Sequence, residues 1–195
     1  MNSSVLDLFI LSALDRGCVT PYDLQRVAGI SLGGSLPALR RLLKSKMVAK
    51  SQSKTGTNRP RHHYRLTTSG KVAAETAWWP YINQEFDLPG DLDSVLRLTD
   101  MAVHYGADKR KISSFLKLAA KQRRALAAQA ELKISQAGKR DPQQLSYSAM
   151  RLRCDASRLR AEAETLVAIA ESIVESKESP GRVQQMISYP PSDLS

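Results

Sequence analysis

The sequence predicts a mainly α-helical protein with one small β-hairpin: short helices and the hairpin first, an all-helical region after. Three observations predict it. Apolar residues recur at helical spacing over most of the 195 residues. Strict alternation appears between Arg61 and Leu66. Charge is divided, with 12 Lys/Arg against 3 Asp/Glu in residues 1–71 and 17 against 16 in residues 72–195.

The first helix is expected from about Ser4 to Arg16. Ser4 can cap it, and Asp7 lies at its third position, where a carboxylate meets free N–H groups. Leu6, Phe9, Ile10, Ala13 and Leu14 keep helical spacing, and Val5, Leu8 and Leu11 extend the apolar surface nearly all round. Such a helix belongs between layers. Gly17 is its stop. Thr20-Pro21-Tyr22-Asp23 opens a second helix, with threonine as cap, proline in the first turn and Asp23 reaching back. Its inner face is Leu24 and Val27. Residues 28–34, with Gly29, Gly33 and Gly34, read as a turn.

A third helix is expected from Ser35 to about Lys46. Leu36, Leu39, Leu42 and Leu43 form its inner stripe, and Arg40, Arg41 and Lys44 lie on the other side. Met47–Ser53 and Arg61–Leu66 are two strands, joined by a turn with Gly56, Asn58 and Pro60. The alternation puts His62, Tyr64 and Leu66 on one side and Arg61, His63 and Arg65 on the other. A fourth helix starts near Thr68 and runs to Trp78-Trp79. Residues 1–79 thus form the first domain, and 80–91, with Pro89-Gly90, a linker.

Residues 92–177 read as all helix. Val95, Leu98, Ala102 and Tyr105 make one stripe, closed by Gly106. Asp108 caps a longer helix through about Ala137, stopped by Gly138. Pro142 opens the last helix, to about Ser176. In it Leu145, Leu152, Leu159, Leu166 and Ile173 repeat at seven, with Ala149, Ala156, Ala163 and Ala170 between them. That heptad seam is expected to pair two copies of the chain, as in a coiled coil; an internal hairpin with the preceding helix is the other arrangement it fits. Residues 178–195 read as a loose tail.

Composition narrows function. There is no run of eighteen apolar residues. The N-terminus lacks the pattern of a secretory signal, and two cysteines make no disulfide framework, so a cytoplasmic location is expected. Adjacent His62 and His63 face opposite sides of a strand and cannot share a metal. Phosphate loops, paired carboxylates and nucleophile signatures are missing, so no enzyme, cofactor or metal is expected. Between Asp23 and Glu75 there is no acid, only 11 Lys/Arg, within a formal net charge of +10. A basic module joined to a near-neutral one suits a polyanion.

Three short helices and a basic hairpin are the layout of a winged helix-turn-helix. Its third helix enters the DNA major groove and its wing lies on the backbone or in the minor groove. The stretches Val5-Leu6-Asp7-Leu8, Thr20-Pro21-Tyr22-Asp23-Leu24, Gly34-Ser35-Leu36-Pro37-Ala38-Leu39-Arg40-Arg41-Leu42 and Arg61-His62-His63-Tyr64-Arg65-Leu66-Thr67-Thr68-Ser69-Gly70 resemble the PadR-like transcriptional regulators. The resemblance covers about a third of the chain. Leu36 stands where that family has a tyrosine touching the DNA backbone, and Pro21 where it has glycine. The resemblance implies a repressor that binds a palindromic operator as a homodimer, through a helical C-terminal dimerisation domain. It also implies an aromatic effector, for which Trp78 and Trp79 are candidates. Candidate DNA contacts are Tyr22, Ser35, Arg40, Arg41, Lys44, Lys54, Asn58, Arg59, Arg61, His63 and Arg65. The rival reading is a winged-helix scaffold that binds protein and not specific DNA.

Overall fold

The computed structural model of the chain describes residues 4–53, 61–140 and 147–176. The expected class holds: eight helices and one antiparallel hairpin among the described residues. Helix α1 (Val5–Asp15) is capped by Ser4, whose hydroxyl accepts from the Asp7 amide. Helix α2 (Pro21–Arg26) carries the full capping box, Thr20 accepting from the Asp23 amide while the Asp23 carboxylate accepts from the Thr20 amide.

Helix α3 (Leu32–Lys44) departs from the expected bounds. It begins three residues before Ser35, because Ser31 caps it by accepting from the Gly34 amide. A serine cap stabilises by about 1 kcal/mol, comparable to what glycine costs in a helix. The earlier start brings Leu32, Gly33 and Gly34 into the helix, and the buried side of α3 differs from the expected leucine stripe. Ser35, Ala38, Leu39 and Leu42 are buried, at i, i+3, i+4, i+7, while Leu36 is 40% exposed. The inner stripe is therefore narrower in side-chain volume than four leucines would give. Small Ser35 and Ala38 let α3 approach its neighbours closely.

Strands β1 (Val48–Ser53) and β2 (Arg61–Leu66) pair with Val48 opposite Leu66 and Ser51 opposite His63. Tyr64 is buried and Arg65 exposed, as the alternation requires. Helix α4 (Thr68–Thr76) is capped by Thr67, which also ties it to the chain before β1 through Lys46 O and Met47 O. Helix α5 (Trp79–Ile82) falls at the start of the 80–91 stretch, with Ile82 buried.

Helices α6 (Leu92–His104), α7 (Lys109–Arg140) and α8 (Tyr147–Glu175) form the second part. Gly138 does not stop α7, which runs on to Arg140. One core gathers α1, α2, α3, the hairpin and α4 around Ile10, Leu11, Leu24, Leu39, Leu42 and Tyr64. The other gathers Trp78, Ile82, Leu98, Phe115, Leu116 and Leu166. Helix α1 belongs to both. Its Ile10, Leu11 and Leu14 face the first core, and Leu8 the second, with Val5 against it. The near-continuous apolar surface of this helix thus has its explanation.

The leucine-alanine repeat packs along α7 of the same chain, the internal hairpin that is the other arrangement it fits. Ala156, Ala163, Leu166 and Ala170 are buried, and Leu152 and Leu159 pack against Ala127, Ala130 and Ala156. Ile173 packs against the main cluster, Ala149 is half-buried, and Leu145 lies outside the described residues. Alanines on both helices permit this close antiparallel approach. Inside it, Arg123 is 1% exposed and donates from Nε to Glu162 at 3.0 Å.

Candidate nucleic-acid interface

The outward face of α3 follows from its inward one. Successive helical residues are about 100° apart. With Ser35, Ala38, Leu39 and Leu42 turned in, Leu36, Pro37, Arg40 and Lys44 are exposed on the opposite side. Tyr22, in the first turn of α2, is 64% exposed. On the hairpin, Arg65 is exposed and His63 half-buried. Lys50, opposite Tyr64 in the register, adds an exposed cation absent from the sequence-based set. Leu32 and Leu36 are exposed too, which the sequence did not signal, since leucine at helical spacing reads as an inner-face residue.

Two of the expected contacts are engaged within the fold. Ser35 is fully buried, and its hydroxyl donates to Leu32 O within α3, so it does not reach the surface. Arg41 is held by Asp7 of α1, with Nε 3.1 Å from Oδ2 and Nη2 2.6 Å from Oδ1. This hydrogen bonding raises the Arg41 pKa still further. Lys54, Asn58 and Arg59 lie outside the described residues, as does the Arg61 side chain.

The acids of this region are engaged. Asp23 accepts from the Val19 and Thr20 amides and the Thr20 hydroxyl, and Asp7 accepts from Arg41. The face of α3 therefore keeps its positive field undiluted by nearby exposed carboxylates between Asp23 and Glu75.

The two tryptophans part company. Trp78 is 2% exposed, stacked on Tyr105 with ring centroids 6.1 Å apart, and belongs to the core. Its indole nitrogen is buried without a hydrogen-bond partner. Trp79 meets it edge-on at 5.3 Å and keeps an exposed ring, over which Lys111 Nζ lies at 4.8 Å. Among the described residues no group of three His, Cys, Asp or Glu could hold a metal ion, and no helix is long and apolar enough to cross a membrane.

No protein-family model matches the chain, and no curated protein matches it. Among solved structures it is similar to Bacillus subtilis PadR in complex with operator DNA, at 16% identity and a TM-score of 0.39, covering 89% of this chain and 98% of that one. It is similar to smu.1604c from Streptococcus mutans, at 13% identity and a TM-score of 0.33, covering 85% and 98%. It is also similar to the PadR-like transcriptional regulator BC1756 from Bacillus cereus, at 19% identity and a TM-score of 0.33, covering 86% and 94%.

Proposed function

We propose that the protein is a DNA-binding transcriptional regulator, a repressor that binds a palindromic operator as a homodimer. One observation carries the reading. The outward face of α3 presents Arg40 and Lys44 on a helix locked from behind; Arg65 and Tyr22 are exposed as well, and no acid lies between Asp23 and Glu75. A planar arginine fork suits guanine edges, and lysine suits phosphates. One such module covers few base pairs, and two related by symmetry read half-sites about 34 Å apart. Support for a second copy comes from Leu126, Leu132, Tyr147 and Met150, exposed toward the far end of the α7–α8 hairpin. Repression and an aromatic effector at the exposed Trp79 ring are what the sequence resemblance implies.

The test is duplex binding at several salt concentrations. Wild-type protein should bind random-sequence duplex with a steep negative salt slope. Arg40→Ala with Lys44→Ala should flatten that slope by about two units. DNA retained from genomic fragments should supply the operator, and there Arg40→Ala should cost about 1–3 kcal/mol more than on random sequence. Binding that is absent or independent of salt favours the protein-binding scaffold.

A further inference from the structure

Arg41 is exposed, cationic and on the helix proposed to read DNA, yet its surroundings give it another task. It follows Arg40 by one residue, so it points about 100° away round the helix, toward α1. There its guanidinium grips Asp7 through two hydrogen bonds, 2.6 and 3.1 Å. The partners are unequal: the Arg41 side chain is 54% exposed, that of Asp7 only 8%. If Arg41 turned to a phosphate, it would leave a carboxylate buried and unpaired, which is strongly unfavourable. Helix ends reinforce the grip. Asp7 lies in the first turn of α1 and Arg41 in the last turn of α3, each where the helix dipole favours its charge.

We infer that Arg41 is a positioning residue. With Asp7 it fixes the roll of α3 about its axis, and so where Arg40 and Lys44 point, without touching DNA itself. The inference rests on the DNA-binding reading above. Its physical reason is that α1 and α3 also share an apolar core, with Ile10, Leu11, Leu39 and Leu42 in one cluster. Apolar contact is non-directional and sets how close two helices lie. A two-point ion pair is directional and sets rotation. Asp7 is followed by Leu8, which is buried in the other core, so the pair ties the pose of α3 to the helical part of the molecule.

The test uses the full chain, random-sequence duplex and a duplex selected by the wild type from genomic fragments. On the selected duplex, Arg41→Ala and Asp7→Ala should each lose about tenfold in affinity, and the double variant should lose no more than either. On random duplex, Arg41→Ala should keep the wild-type salt slope. Arg41→Lys, which keeps the charge and loses the fork, should lose as much as Arg41→Ala. Without DNA, amide exchange of α3 should quicken in Arg41→Ala and Asp7→Ala and not in Arg40→Ala. A salt slope flattened by about one unit in Arg41→Ala, full activity of Arg41→Lys, or tighter binding by Asp7→Ala would make Arg41 a direct contact and overturn the inference. Unchanged exchange in the half-exposed Arg41→Ala would overturn it too, even if Asp7→Ala fails to fold. Wild-type protein that binds no duplex refutes the DNA reading and this role with it, whereas the exchange result still reports whether the pair holds α3.

Discussion

Replacing Gly70 with alanine should loosen the joint between α4 and the hairpin. Gly70 lies three residues after Thr67, and its amide donates to the Thr67 hydroxyl at 3.1 Å. A Cβ added there would stand 1.9 Å from Met47 O and 2.9 Å from Met47 C. Both are backbone atoms, so no side chain can swing aside. Separating them to ordinary contact moves the residue before β1 by more than about 1 Å, since carbon–carbon and carbon–oxygen contacts form near 3.5 Å. That movement strains the bonds Thr67 makes there, its amide to Met47 O at 3.0 Å and its hydroxyl to Lys46 O at 2.8 Å. Two such bonds contribute about 1 kcal/mol each, and overpacking costs about 1–3 kcal/mol. The stiffer unfolded chain returns about 0.4–1 kcal/mol. The net loss is about 3 kcal/mol, or a melting point lower by roughly 6–12 °C for a chain of this size. Thermal unfolding followed by far-UV circular dichroism measures it. Gly33→Ala is the control of opposite sign: its Cβ meets nothing nearer than Ser31 Oγ at 3.9 Å, and the variant should gain about 0.4–1 kcal/mol. A Gly70→Ala protein melting within about 2 °C of the wild type would refute the steric reasoning.

Truncating the buried Arg123 to alanine should cost about 3 kcal/mol by urea unfolding, and pairing Arg123→Met with Glu162→Leu should recover most of it, because the ion pair is buried between α7 and α8. Tyr105, pushed up to about 12 chiefly by burial, should ionise only as pH approaches about 12, read in an ultraviolet titration as the difference between wild type and Tyr105→Phe. Because its folded pKa is raised, its stabilising contribution is complete below about pH 10 and fades as pH climbs through about 12. Native protein should take up thiol reagent at exposed Cys154 and not at Cys18, which is buried with its pKa raised by that burial; equal rates would contradict the packing of α1. Leu132→Glu, at a side chain 59% exposed, should leave the melting point of a monomer nearly unchanged and split the proposed dimer in sedimentation.

Much of this molecule is written in short-range signals. The capping box of Thr20 and Asp23, the Ser4 cap and the alternation of Arg61–Leu66 each depend on residues within a few positions of one another. They determine helix starts and strand faces wherever the segment ends up. The acid-free stretch is likewise a property of the chain, so the basic character of the first module was legible from composition alone. The start of α3 was legible in principle, through Ser31, but Gly33 and Gly34 imitate a turn, and the Ser31 cap is seen only in the folded chain.

Two matters belonged to the tertiary structure. Arg40 and Arg41 are the same residue type side by side, and nothing local separates them. Asp7, 34 residues earlier, does so by claiming one of them once α1 and α3 pack. The leucine-alanine repeat of α8 specifies an apolar seam and its spacing, and the seam is the same whether the opposing helix comes from this chain or another. The choice fell to α7, whose Ala127 and Ala130 let it lie close along that seam. A heptad encodes the shape of a contact. The identity of the partner depends on which helix the rest of the fold brings within reach.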